Sequence, residues 1–285
     1  TAASCLSDAN EVYLFWGEDR DILNKAEERF GIKLSKVKLS KNIFAKDVSL
    51  LSRLVTSRKY DLIIFLSDGS IPLTLAKKLV LHFQFPVEWV NGNSLITKIK
   101  VGLVNKIVCN SKFTKNFIDK TFGVKSSVLY PPADIRTKNN ELRTENKENI
   151  ILTVGRFGRL PEGVNFKKQD VMINTFKQMV DSGLSGWEFV VVISFKEQDI
   201  KEVEKLEELA KGYPIKISKN LNSREVSKIY KKAKIYWHAA GFGENLEKYP
   251  ERAEHFGIST VEAMGTGAVP IVINAGGQKE IVQNG

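Results

Sequence analysis

Near the C-terminal end, Glu254-His255-Phe256-Gly257-Ile258-Ser259-Thr260-Val261-Glu262-Ala263-Met264 sets two carboxylates eight positions apart around a glycine turn. Ser259 reads as the N-cap of a helix, and Glu262, three residues on, has the capping-box spacing. Gly265 and Gly267 then end that helix. Glu254 falls outside the helix and has no local structural explanation. An acid, a glycine turn and a helix N-terminus in one loop suit a polyhydroxylated, negatively charged ligand. Free N–H groups and the positive end of the helix face such an anion. The competing account is a well-capped structural helix beside a solvated acid.

Other residues that could share this chemistry lie where apolar runs end. Arg156 follows Ile150-Ile151-Leu152-Thr153-Val154-Gly155 directly, where its planar fork can grip a phosphate with two hydrogen bonds. Lys167 and Lys168 precede a helix and could add an ammonium to the same phosphate. His238 to Glu244 and Ala275-Gly276-Gly277 close two further runs. In the first half the candidates are Asp68-Gly69-Ser70, with Asp68 as the N-cap of a following helix, and His82 inside the apolar run Leu79 to Phe85. For a lone histidine in such a run, a core imidazole satisfied by backbone competes with a functional one.

Several chemistries are disfavoured. Gly155-Arg156-Phe157-Gly158 lacks the dinucleotide-binding glycine spacing, and there is no phosphate-binding GxxxxGK[ST] loop. The three histidines and two cysteines are scattered, so no metal-ligand cluster and no disulfide framework is expected. A reducing compartment fits. No apolar run reaches the roughly 20 residues of a membrane span, and Thr-Ala-Ala-Ser-Cys-Leu at the start does not read as a signal peptide.

The elements that position these residues alternate along the chain. Strands are expected at Glu11 to Trp16, Tyr60 to Leu66, Leu79 to Phe85, Lys106 to Cys109 and Val128 to Tyr130. Helices are expected at Asp21 to Phe30, around Pro72 to Lys78, and at Ser111 to Phe122. The polar stretch 135–149 reads as a linker between domains 1–134 and 150–285. Alternation then resumes with strands at Ile150 to Val154, Trp187 to Ser194, Ile215 to Ser218, Ile235 to Trp237 and Val269 to Ile273. Helices are expected at Gln169 to Ser182, Asp199 to Lys211 and Ser223 to Ala233. This pattern predicts two α/β, Rossmann-like domains with doubly wound parallel sheets, facing a ligand cleft. The net charge of +10 is uneven: 23 Lys and Arg oppose 15 Asp and Glu through residue 146, against 20 and 18 in the remainder. Lys98, Lys100, Lys106, Lys112, Lys115, Lys120 and Lys125 alternate with apolar residues in the basic half. A phospholipid surface, a lipid-linked phosphate or nucleic acid would fit as an anionic partner; the competing account is a merely solvated lysine-rich surface.

The ordered set Glu254-x7-Glu262, Ala263-Met264-Gly265-x-Gly267-x-Val269-Pro270-Ile271-Val272 and Gly276-Gly277-x-x-Glu280-Ile281-Val282 resembles the donor half of retaining GT-B glycosyltransferases. The family is the large one that includes sucrose synthases and bacterial mannosyl- and glucosyltransferases. The likeness extends back through Val154-Gly155-Arg156-Phe157 and Lys167-Lys168-Gln169-Asp170-Val171. It implies a hexosyltransferase that takes a UDP- or GDP-type sugar as donor and needs no cofactor and no metal. Glu262 would bind the ribose, Glu254 would act at the transferred sugar, Arg156 and Lys167 would neutralise the diphosphate, and His82 would stand on the acceptor side. Phe256, Gly257, Ile258, Ser259, Gly155, His238, Gly276 and Gly277 would line the donor. The longer segment Ala239 to Arg252 resembles lipid-linked oligosaccharide mannosyltransferases. That implies a glycan or polyprenyl-linked acceptor, no nucleic acid, and a cytoplasmic protein peripheral on the inner face of a membrane. By this likeness the chain lacks the first strand with its glycine-rich loop and the final helices. The alternative is a non-catalytic nucleotide-sugar-binding subunit.

Overall fold

Apolar runs with glycine or serine punctuation build two units, Thr1–Tyr130 and Pro131–Gly285, in the computed structural model. It describes residues 2–17, 19, 21–133, 146–158 and 165–283. Most of the expected linker therefore lies outside the described residues; its last two, Glu148 and Asn149, already belong to a strand.

The first unit runs α1 (Ala2–Leu6), β1 (Val12–Trp16), α2 (Ile22–Phe30), β2 (Val37–Lys41), α3 (Leu50–Ser57) and β3 (Leu62–Ser67). It continues with β4 (Lys78–Phe83), α4 (Leu95–Gly102), β5 (Lys106–Cys109), α5 (Lys112–Phe122) and β6 (Ser127–Val128). β1 and β2 form a two-stranded parallel sheet, and β3-β4-β5-β6 a four-stranded one with every pair parallel. Leu79, Leu81, Phe83, Val87, Cys109 and Ile118 fill the core beside the larger sheet.

Three expectations for this unit are corrected. No helix forms around Pro72 to Lys78. The ten residues between β3 and β4 are taken up by a turn at Asp68-Gly69, by the buried Ile71-Pro72, and by Leu75, whose N–H donates to Ser57 Oγ. Asp68 is therefore not a helix cap; its Oδ1 accepts from the N–H and hydroxyl of Ser70. The expected strand Val128 to Tyr130 reduces to Ser127–Val128. β2, α3 and α4 had no expected counterpart. Both of these helices begin at a serine that accepts from the third residue after it, Ser49 from Ser52 N–H and Ser94 from Thr97 N–H.

The second unit runs β7 (Glu148–Arg156), α6 (Gln169–Asp181), β8 (Glu188–Ser194), α7 (Ile200–Ala210), β9 (Ile215–Lys219) and α8 (Ser223–Lys232). It ends with β10 (Ala233–His238), α9 (Ile258–Gly265), β11 (Val269–Val272) and α10 (Gln278–Ile281). All strand pairs are parallel, in the order β11-β10-β7-β8-β9. Alternate residues serve opposite faces, as the two-residue period of a strand requires. Ile150, Leu152, Val190 and Val192 join one core cluster with Tyr236 and Ala263, while Ile151, Val191 and Ile193 join another with Ile173, Phe176 and Phe189. From β7 the chain winds outward through β8 and β9, then returns to the other side of β7 as β10. The strand order reverses between β7 and β10, and ligands of open parallel sheets bind outside the carboxyl ends at such a point.

Candidate functional site

Arg156 ends β7 and His238 ends β10, so each lies at the reversal. The Arg156 side chain is exposed and, among the described residues, has no hydrogen-bond or ion-pair partner. His238 is buried and its Nε2 lies 2.8 Å from Glu254 Oε2. The same oxygen accepts from Lys167 Nζ at 2.5 Å. Lys167 stands just ahead of α6, after an Asn165 side chain that accepts its backbone N–H. Three residues, one from the end of β10 and two from separate loops, thus meet at one carboxylate oxygen. Burial pushes the Glu254 carboxyl upward, but the Lys167 ammonium and the His238 contact outweigh it and hold it well below the usual range. Glu254 is therefore ionised at neutral pH. Its neighbour His255 is half-buried, and the loss of water around the ring shifts it down to about 4, which keeps that imidazole neutral.

The loop carrying Glu254 is fixed by backbone as well as by side chains. Gly277 N–H donates to the Glu254 carbonyl at 2.7 Å. A Cβ on Gly276 would sit 2.4 Å from that carbonyl oxygen, and one on Gly277 2.4 Å from the His255 carbonyl. These two glycines are accounted for by close packing on Glu254 to Phe256.

α9 does not start as the local pattern indicates. Its N-cap is Gly257 at φ 110°, and no side chain caps it. Ser259 lies inside the helix, where its Oγ accepts from Tyr236 OH at 2.8 Å, and Glu262 accepts from Tyr230 OH at 3.2 Å. The capping box fails because glycine reaches the left-handed conformation that opens the helix two residues earlier. Tyr230 is buried, and its OH also donates to the Ser259 carbonyl. Glu262 is thus held by the neighbouring α8, and the N–H groups of Ile258 and Ser259 in the first turn have no carbonyl partner among the described residues. Phe256 is buried behind them.

Lys168 separates from its neighbour. Its Nζ bonds Glu244 Oε1 at 2.5 Å, and the other Glu244 oxygen accepts from Arg252 at 2.7 Å. All three are largely buried, and Arg252 stacks 4.0 Å over the Tyr249 ring. This cluster ties the segment Ala239 to Arg252 to the start of α6, so Lys168 serves structure where the sequence allowed a phosphate contact. Gly155 has open space where a Cβ would be.

His82 lies in the first unit, near the end of β4. It is half-buried and lowered by that burial, and its Nε2 is enclosed without a partner among the described residues. Backbone satisfaction, the ordinary fate of a core histidine, does not apply to that nitrogen.

Sequence reasoning brought Glu254, Lys167, Arg156 and His238 to one place. It missed Tyr230 and Tyr236, which fell inside an expected helix and an expected strand with no role assigned, and the Glu244–Lys168–Arg252 cluster. For the tyrosines the available signal was chemical: a buried phenol needs a partner.

Residues 134–285, more than half of the chain, match the family described as Glycosyl transferases group 1. The chain belongs to this family. The group 1 region begins just inside the second unit and includes every candidate residue except Asp68-Gly69-Ser70 and His82. Over 200 residues the chain is 26% identical to a GDP-Man:Man(3)GlcNAc(2)-PP-Dol alpha-1,2-mannosyltransferase of Dictyostelium discoideum, covering 63% of this chain and 36% of that protein. The Xenopus laevis protein of the same description is 24% identical over 229 residues, covering 75% of this chain and 41% of that protein. The chain thus spans about two fifths of the length of the curated relatives it matches. Among solved structures, Anabaena HepE in complex with UDP and glucose aligns with TM-score 0.66 at 16% identity, over 99% of this chain and 78% of that one. WaaG, a glycosyltransferase involved in lipopolysaccharide biosynthesis, aligns with TM-score 0.58 at 14% identity, over 98% and 77%. These neighbours are GT-B glycosyltransferases, and the fold class is the expected α/β with parallel sheets.

Proposed function

We propose that this chain carries the donor site of a retaining, metal-independent hexosyltransferase that moves a sugar from a nucleoside diphosphate to a lipid-linked glycan. The convergence of Lys167 and His238 on the ionised Glu254, beside Arg156 at the β7–β10 reversal, carries the reading. Breaking the bond between the anomeric carbon and the diphosphate leaves positive charge on the sugar and negative charge on the departing phosphate. Fixed groups of opposite sign stabilise both. The Glu254 carboxylate answers the first. Arg156, the Lys167 ammonium and the first-turn N–H groups of α9 answer the second. Before the donor arrives Lys167 is held by Glu254; a diphosphate would share that ammonium, so the pair keeps both groups charged and in place. Glu262, steadied by Tyr230, accepts from ribose hydroxyls.

GDP-mannose is the first donor to try, because both curated relatives carry that donor in their descriptions; HepE, seen with UDP and glucose, makes UDP-glucose the second. The lipid-linked acceptor, and with it a place at an anionic membrane surface, follows from the PP-Dol substrate in the same descriptions and from the basic first unit. The test is a thermal-shift screen of GDP-, UDP- and ADP-sugars on the chain and on Glu262→Ala. One nucleotide sugar should raise the melting temperature of the parent and not of the variant. No response to any donor, or an equal response in the variant, would sink the reading.

A further inference from the structure

Helix α4 carries its large aliphatic side chains on the outside. Leu95, Ile96, Ile99 and the C-cap Leu103 are 75%, 68%, 58% and 61% exposed. Each helical residue turns by about 100°, so these four fall in one stripe about 100° wide. Lys98 and Lys100 fall on either side of it. The opposite side of the helix is already used: Val101 packs against the buried cluster of Leu79, Leu81, Phe83 and Ile118, and so does Val104 just beyond the helix. A surface helix of a water-facing domain turns its apolar stripe to the core. α4 does this with Val101 and still presents a second stripe to solvent. Neither Lys98 nor Lys100 has a carboxylate partner among the described residues, and the unit around them has 20 Lys and Arg against 12 Asp and Glu through residue 130.

From this we infer that α4 is the element through which the chain lies on a membrane, its aliphatic stripe entering the headgroup boundary of an anionic leaflet and its two flanking lysines reaching the phosphates. The inference rests on the lipid-linked acceptor proposed above and names where that surface is met. Two weak signals, an apolar stripe and a basic flank, together give the reversible anchoring that neither gives alone. Lysine suits the flank because its aliphatic stem can lie along the apolar boundary while the ammonium stays in water. The charge also selects α4 over the other exposed apolar faces of this unit: Leu50, Leu51 and Val55 of α3 are exposed, but Arg53 on that helix is already taken by the Ile43 and Ala45 carbonyls. Leu62, Ile64 and Leu66 of β3 are exposed too, but that strand is bounded by Asp61 and Asp68, which an anionic leaflet repels. None of the described helices is long and apolar enough to cross a membrane, so attachment through the described residues lies along the surface.

Vesicle co-sedimentation tests this, using phosphatidylcholine vesicles with and without phosphatidylserine at low and high salt. The parent chain should sediment with the phosphatidylserine vesicles and be released by salt. At about 1 kcal/mol for each lysine near an anionic surface, Lys98→Gln with Lys100→Gln should weaken that binding by about 30-fold. Ile96→Ser with Ile99→Ser should abolish it. These side chains are exposed, so the variants should keep the parent melting temperature. Absence of vesicle binding, or binding equal in parent and variants, overturns the inference. A parent dimer in size-exclusion chromatography that Ile96→Ser/Ile99→Ser converts to a monomer also overturns it, because the stripe would then be a contact between copies. The donor screen on the same samples separates the two proposals. Vesicle binding without a nucleotide-sugar response refutes the donor site alone, and the reverse result refutes the α4 surface alone.

Discussion

Replacing Lys167 with methionine keeps most of the length of the side chain and removes its charge, leaving Glu254 with His238 as its remaining side-chain donor. Both partners are largely enclosed, with 16% and 17% of their side-chain surfaces exposed. Removing one member of a fully buried ion pair costs about 3–5 kcal/mol. The partial exposure and the surviving 2.8 Å contact to His238 place this case lower, at about 2–3 kcal/mol by the same scale. The pH dependence identifies the cause. In the parent, the depressed Glu254 contributes stability that is present above the unfolded glutamate pKa and is lost as pH falls through the lower folded value. In Lys167→Met burial dominates instead, the folded value rises, and the ionised acid becomes a cost at neutral pH. The gap between the two proteins must therefore shrink on acidification, from its full size near about pH 7 toward zero below about pH 4. Urea unfolding followed by fluorescence measures it. With Trp16→Phe and Trp89→Phe in the background, the remaining Trp187 and Trp237 report on the second unit alone. A loss under about 0.5 kcal/mol, the scale of an exposed pair, would refute the reasoning, as would a gap that does not change with pH.

Three further outcomes follow from the same geometry. Tyr230→Phe removes the donor to Glu262 Oε2 and the Ser259 carbonyl, which should cost about 1–2 kcal/mol of stability; it should also raise KM for the donor several-fold while kcat changes little, and an unchanged KM would show that Tyr230 does not steady the ribose site. Gly277→Ala sets a methyl group 2.4 Å from the His255 carbonyl and 2.6 Å from Phe256 Cα, both backbone, so it should lose at least about 3 kcal/mol. Gly155→Ala meets nothing within 4 Å and should leave the urea midpoint unchanged while weakening donor binding; equal stabilities for the two variants would contradict the packing described. Burial pushes the Cys109 thiol up to about 11, while Cys5 is exposed. A thiol reagent near neutral pH should therefore titrate one cysteine in the folded chain and both in urea, and rapid reaction of both in the folded state would place Cys109 wrongly.

The helices most easily overlooked in the sequence were the short ones. α3 and α4 have eight residues each, too few for a 3.6-residue period to stand out, although Ser49 and Ser94 mark both starts. The helix expected near Pro72 failed for a complementary reason: apolar residues followed by lysines imitate a helix, but Ile71-Pro72 are buried as a plug in a connection of ten residues. Around Glu262 the local pattern indicated a helix cap, and the structure gives that acid a different partner. The Ser-x-x-Glu spacing reads as a capping box, and what prevents it is Gly257 opening the helix early and Tyr230 and Tyr236 occupying Ser259 and Glu262 from other elements.

What the residues alone determined was the alternation of strands and helices, the presence of two α/β units, and which strand-end loops could hold an anion. Each depends on contacts within a few positions or on the two- and 3.6-residue periods. What the tertiary structure decided was partnership. Lys167 meets Glu254 across 87 positions, while Lys168, one residue away, is taken by Glu244 across 76. Adjacent lysines carry the same charge and nearly the same neighbours in sequence. Lys168 adopts the left-handed backbone at φ 56°, and only packed strands fix which carboxylate each ammonium can reach. The same holds for α4, whose outward stripe is visible only once Val101 and Val104 are seen to occupy the core.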